Sequence, residues 1–173
     1  GYMVTSLSKD KACKTEFAEF ELGLRDIGKS LRFGTRELQS YELPCEVTKA
    51  YFFDLEKNIS LKYFNESPVM VDMLKGKSKN VFLVKDYEMK SSFYAGNLEI
   101  AYPYYICFLP QFGKISFFIE NTGGKTNVVS AVDQPECTLV PLNTSQEEGE
   151  MIINEAFSLQ QFPADQQEIN QIE

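Results

Sequence analysis

The hydrophobic positions of this chain change period once, near residue 35, and that change divides the sequence. Before it, Cys13, Phe17, Phe20, Leu24, Ile27 and Leu31 follow one another at spacings of four, three, four, three and four. That recurrence places all six on one stripe of an α-helix. Lys9, Asp10, Lys14, Glu16, Glu19, Glu21, Arg25, Asp26, Lys29 and Arg32 fall on the other faces. The pattern predicts an amphipathic helix of about six turns, with Ser6 or Ser8 as N-cap and Gly34 as the residue that ends it. Such a stripe packs on the chain's own sheet or on a second helix, so self-association through it is an alternative use.

From Arg36 the apolar residues alternate with polar ones for about a hundred residues, the period of a strand. Val47, Tyr51, Phe53 and Leu55 form one such set, and Ile59, Leu61 and Tyr63 another. Val81 to Val84 are apolar without a break, which predicts a strand buried on both faces. Leu98, Ile100, Tyr102, Tyr104, Ile106 and Phe108 predict one long strand, bent or at an edge where Pro103 interrupts it. A turn at 110–113, a strand through Ile115, Phe117 and Ile119, a turn at Asn121-Thr122-Gly123-Gly124 and a strand through Val128 to Val132 would complete a three-stranded antiparallel meander. Cys137 to Leu142 predicts a last strand, and Met151, Ile152, Glu155, Ala156, Leu159 and Phe162 a short helix ending before Pro163.

These elements predict an α+β fold: a long N-terminal amphipathic helix packed on an antiparallel β-sandwich or partial barrel of six to eight strands, with a short C-terminal helix. The expected organisation is a stalk-like helix over residues 1–34, a β domain over 35–142, and an acidic helix and loose tail over 143–173.

Composition narrows the chemistry. Among 173 residues there are fourteen Phe, nine Tyr, no Trp and no His. The missing imidazole removes Ser-His-Asp and Cys-His catalysis and the commonest zinc ligand. The net charge of −8 argues against nucleic acid as a partner, because phosphate contacts need a basic face. That charge is uneven: every Lys and Arg lies at or before Lys125, while Glu147, Glu148, Glu150, Glu155, Asp165, Glu168 and Glu173 make the C-terminal segment acidic. No run of about 18 apolar residues occurs, so membrane attachment would come only through a hydrophobic anchor upstream of Gly1.

Four cysteines, Cys13, Cys45, Cys107 and Cys137, lie too far apart for a CxxC motif and are compatible with two disulfides. Of the three connectivities, Cys45 with Cys107 is the pairing preferred here, because both flank strands near the aromatic core. Asn58, Asn65 and Asn143 head N-x-S/T sequons on predicted loops, candidates for glycosylation. Tyr102, Tyr104 and Tyr105 are candidates for an aromatic ligand platform, against the simpler expectation of core and edge packing. The carboxylate pairs Asp54/Glu56 and Asp86/Glu88 fit calcium or a two-carboxylate hydrolase only weakly, and Gly76-Lys77-Ser78 reads as a turn rather than a phosphate loop. No cofactor is expected.

Five segments together carry a resemblance: Leu43-Pro44-Cys45, Ala50-Tyr51-Phe52-Phe53-Asp54, Lys79-Asn80-Val81-Phe82-Leu83-Val84, Tyr102-Pro103-Tyr104-Tyr105-Ile106-Cys107 and Gly113-Lys114-Ile115-Ser116-Phe117. Over about residues 10 to 132 the chain resembles archaeal type IV pilin-like surface proteins with class III signal peptides. The resemblance implies a helix that emerges from a membrane anchor and carries a β-rich outer domain. The expected function is then that of a non-enzymatic, extracellular cell-surface domain in surface structure or adhesion, with a surface glycan or protein as partner. A carbohydrate- or ligand-binding module is the alternative, and a His-free carboxylate hydrolase a more distant one.

Overall fold

A computed structural model describes residues 2–60 and 68–140, with side chains from residue 11 onward. The described elements belong to one compact unit that ends at Thr138. The expected C-terminal helix and tail, and the sequons at Asn65 and Asn143, lie outside the described residues.

The leading stripe folds as its spacing predicts. Helix α1 runs Tyr2–Ser30, longer than the six turns expected. Phe20, Leu24 and Leu31 are buried in the main core, and Phe17 and Ile27 pack against it. The stripe from Phe17 onward is thus committed to the chain's own sheets. The helix stops earlier than Gly34 suggested. Gly34 instead sits in a separate turn at φ +80°, where Thr35 N–H donates to Arg32 O. The carbonyl of Leu31, left without a helical donor, accepts Asn121 Nδ2 at 2.8 Å.

Among the described residues, eight strands form two four-stranded sheets. They are β1 Arg36–Glu42, β2 Lys49–Phe53, β3 Val81–Lys85, β4 Glu88–Phe93, β5 Leu98–Glu99, β6 Tyr105–Phe108, β7 Lys114–Asn121 and β8 Thr126–Ser130. One sheet has the order β1-β7-β8-β5 and the other β4-β3-β2-β6. Both sheets are open, and neither closes into a barrel. All pairings are antiparallel except β5 with β8, which is parallel.

Strands β3, β2 and β6 of the second sheet are buried on both faces, and their sequence explains how. Ala50, Phe52, Val81, Leu83, Ile106 and Phe108 point into the main core, where they meet Ile115, Phe117, Ile119 and Val128 of the other sheet. Their chain neighbours Tyr51, Phe53, Phe82, Val84, Tyr105 and Cys107 point the opposite way into a second core. That core is closed by Met70 and Leu74 of helix α2, Pro68–Lys75. A strand with apolar groups on both sides must read as a continuous apolar run. Phe52 centres the main core, its ring standing edge-on to Phe108 at 5.1 Å and to Phe117 at 5.4 Å.

Four strand expectations need correction. The predicted long strand from Leu98 to Phe108 is two short strands in different sheets, β5 and β6. Between them Pro103 supplies no N–H, and Tyr104 takes a left-handed conformation with φ +77°, its N–H donating to Ala101 O at 2.7 Å. The three-stranded meander therefore reduces to the β7–β8 hairpin, and the 110–113 turn carries the chain from one sheet to the other. Ile59 and Ser60 lie in no strand, and 61–63 fall outside the described residues. Cys137 to Val140 form no strand; an isolated bridge joins Phe108 to Glu136.

Candidate functional site

Both cysteine pairs are bridged, but not as preferred from the sequence: the bonds join Cys13 to Cys45 and Cys107 to Cys137, not Cys45 to Cys107. Cys45 sits in the loop between β1 and β2, which passes beside α1, and its N–H donates to Glu16 Oε1 at 2.9 Å. Cys107, on the second-core face of β6, instead meets the segment after β8. There Cys137 N–H donates to Cys107 O, and Cys107 N–H donates to Thr138 Oγ1. The placement of β6 at the edge of its sheet, beside residues 136–138, decides this pairing, and no residue spacing encodes it.

The three candidate tyrosines do not share a plane. Tyr105 is buried in the second core, stacked on Phe53 at 5.4 Å. Tyr102 and Tyr104 meet edge to face at 88°, with Lys57 Nζ 5.7 Å above the Tyr104 ring. Asn58 is exposed on the loop after β2, as a glycan acceptor must be.

The carboxylates resolve into structural roles. Asp54 is buried, and both its oxygens are occupied: Oδ1 accepts Glu56 N–H and Oδ2 accepts Ile100 N–H, each at 3.1 Å. It thereby joins the end of β2 to the segment after β5. Glu56 pairs with Lys125 at 2.8 Å. Hydrogen bonds from Lys125 and then from Asn97 hold the Glu56 carboxyl below its ordinary range, and the same pair holds the Lys125 amine above its own. Asp86 lies on the β3–β4 turn and Glu88 opens β4, both exposed. Gly76-Lys77-Ser78 ends α2, with Gly76 N–H donating to Asp72 O and Lys77 at φ +55°.

One cleft among the described residues was not anticipated from the sequence. It encloses about 560 Å³ between the last turns of α1 (Arg25, Gly28, Lys29), the loop 94–97 and the β7–β8 turn with Lys125 and Thr126. Its walls are set by side chains behind them. Asn80, buried at the start of β3, donates from Nδ2 to Gly96 O at 2.7 Å and accepts Ala95 N–H at Oδ1 at 2.8 Å. Thr126 N–H donates to Asn97 O at 2.8 Å, fixing the loop against β8. Gly28 lets the helix approach: a Cβ there would stand 3.2 Å from Thr126 Oγ1. Tyr94, 47% exposed, supplies an aromatic wall.

Of the three cations in this cleft, Arg25 pairs with Glu21 and Lys125 with Glu56, while Lys29 stands in the last turn of α1, where the helix dipole favours a positive charge. Chemically the cleft presents amides, two amines, a guanidinium and one aromatic ring. Its residues come from three separated segments with no common period, and the sole trace in the sequence is the clustering of Gly and Asn at 96–97 and 121–124. Among the described residues, no group of three His, Cys, Asp or Glu is arranged to hold a metal, and no helix is long and apolar enough to cross a membrane.

No family profile, curated protein or solved structure matches the chain.

Proposed function

We propose that this chain is the displayed, non-enzymatic domain of an N-terminally anchored, pilin-like cell-surface protein, with α1 as stalk and the two sheets as the presented module. The observation that carries the reading is the fastening of a single long helix to a β module, apolar from Phe17 to Leu31 and covalent at Cys13. Over 29 residues such a helix extends about 43 Å. Two disulfides add weight, because they persist in oxidising compartments and are rare in a reducing cytosol. Asn58 is available to carry a glycan. The role would lie in surface structure or adhesion.

The test is labelling of intact cells of the native host with a membrane-impermeant amine reagent, followed by intact mass before and after reduction. A labelled protein with four oxidised cysteines supports the proposal. An unlabelled protein with four free thiols in the soluble cytosolic fraction overturns it.

A second reading, recognition of a carbohydrate or other small polar ligand, is favoured by the cleft beside Tyr94 and Lys29. It requires glycan affinity that is lost on Tyr94→Ala or Lys29→Ala and retained on Tyr104→Ala.

A further inference from the structure

Strand β1 ends its sheet and has an open edge. The direction of its backbone groups follows from the ladder. Beyond the pair Glu42–Lys114, Leu43 N–H donates to Gly113 O at 2.9 Å, which makes 43–113 a hydrogen-bonded rung. Such rungs alternate in an antiparallel pair. Glu37, Gln39 and Tyr41 therefore bond to β7, and Arg36, Leu38, Ser40 and Glu42 turn their N–H and C=O groups outward. The far side of β7 agrees, since its even-numbered residues bond β8: Ala131 N–H donates to Ser116 O and Thr122 N–H to Lys125 O. All four outward residues are exposed.

We propose that the occupant of this edge is the same edge of a second copy, paired antiparallel about a two-fold axis through Gln39. In that register Arg36 faces Glu42 of the second copy, Leu38 faces its Ser40, and each of the four outward residues on either strand donates and accepts once. Both salt-bridging side chains lie on the face that carries Phe118, and the Arg36 guanidinium already stands 4.5 Å over that ring, at the sheet surface. Opposite charges directly across a rung stabilise strand pairing.

Neighbouring registers fail on charge. Sliding one copy by two residues sets Leu38 against itself and Arg36 against Ser40, or Ser40 against itself and Glu42 against Leu38. A slip by one residue sets outward groups against residues already bonded to β7. An exposed edge is ordinarily guarded by charges that repel a second strand. Here the charges at the two ends are opposite in sign, so the edge is self-complementary. The product is a continuous eight-stranded sheet across two copies, and it does not depend on where in the cell the chain resides.

Sedimentation equilibrium of the disulfide-intact, full 173-residue chain tests this. The wild type is expected to dimerise, and Arg36→Glu or Glu42→Arg alone should raise the dissociation constant about tenfold or more. The double reversal should restore association. Leu38→Pro, which removes an outward N–H and leaves the rungs to β7 intact, should also weaken it. A chain that stays monomeric up to millimolar concentration overturns the proposal. So does a dimer that both single reversals leave unchanged, or a double reversal no tighter than the singles.

Discussion

Asn80 holds Gly96 in place from inside the protein: its carboxamide donates to the Gly96 carbonyl at 2.7 Å while accepting the N–H of Ala95 at 2.8 Å. Leucine has similar volume but can make neither bond, and it would leave the buried Ala95 N–H and the part-buried Gly96 carbonyl without their partner. Asn80→Leu should therefore destabilise the fold by about 2–4 kcal/mol, read by urea unfolding. Amide exchange at 94–97 should rise more than exchange in β7.

The two disulfides differ in access rather than in loop length. They close 32 and 30 residues of sequence, so chain entropy gives each about 3–4 kcal/mol. Cys107 is fully buried and its partner Cys137 partly so, whereas both Cys13 and Cys45 are partly exposed. Thiol reagents need a path to sulfur. Under limiting reductant Cys13–Cys45 should open first, as timed alkylation and peptide mass would show. Simultaneous opening would mean that the second core breathes on the timescale of reduction.

Phe52 touches both sheets through Phe108 and Phe117. Truncation to Ala should cost about 3–5 kcal/mol, since a buried phenyl leaves both a transfer loss and a cavity. Leu38→Ala, on the open face of β1, should change monomer stability by no more than about 0.5 kcal/mol. Chemical denaturation of the two variants at a concentration that keeps the chain monomeric checks the contrast.

The pair Glu56–Lys125 sets a pH dependence whose sign is fixed. A carboxyl held below its ordinary value stabilises the fold above the unfolded-state pKa of about 4.3, and that contribution is lost as pH falls through the folded value. The raised Lys125 contributes below about 10.4 and loses its share as pH rises through its folded value. Both side chains are substantially exposed, so the effect is small and screened by salt. Thermal melts of Glu56→Gln and wild type should differ at pH 7 and converge at low pH, at high pH and in 1 M NaCl.

Much of the fold was legible because period encodes facing. The α1 stripe and the double-sided burial of Val81 to Val84 follow directly from spacing. Even in the failed long strand the facing held at both ends, since Leu98, Ile100, Ile106 and Phe108 enter the main core, while Tyr102 and Tyr104 at the turn do not. Alternation records which side a residue faces but not whether the backbone has turned, and the turn at 101–104 moves the chain between sheets without breaking the pattern. Helix α2 went unseen for a different reason. Eight residues make barely two turns, and burial of Met70 and Leu74 alone leaves too short a stripe to stand out. The cleft and the disulfide pairing were illegible because each depends on segments brought together by the sheets.

The bond between Cys13 and Cys45 also sets how tension would travel through the molecule. A pull applied along the start of α1 reaches Cys13 and crosses directly to Cys45, so residues 14–44 form a closed ring that carries no load. That ring holds the rest of the helix and the whole of β1. Force therefore enters the module at the loop leading to β2, a central strand buried on both faces, and an edge strand that would peel easily is left slack. Reduction of that single bond would redirect the same pull through Phe17, Phe20 and Leu24, and then into β1 itself.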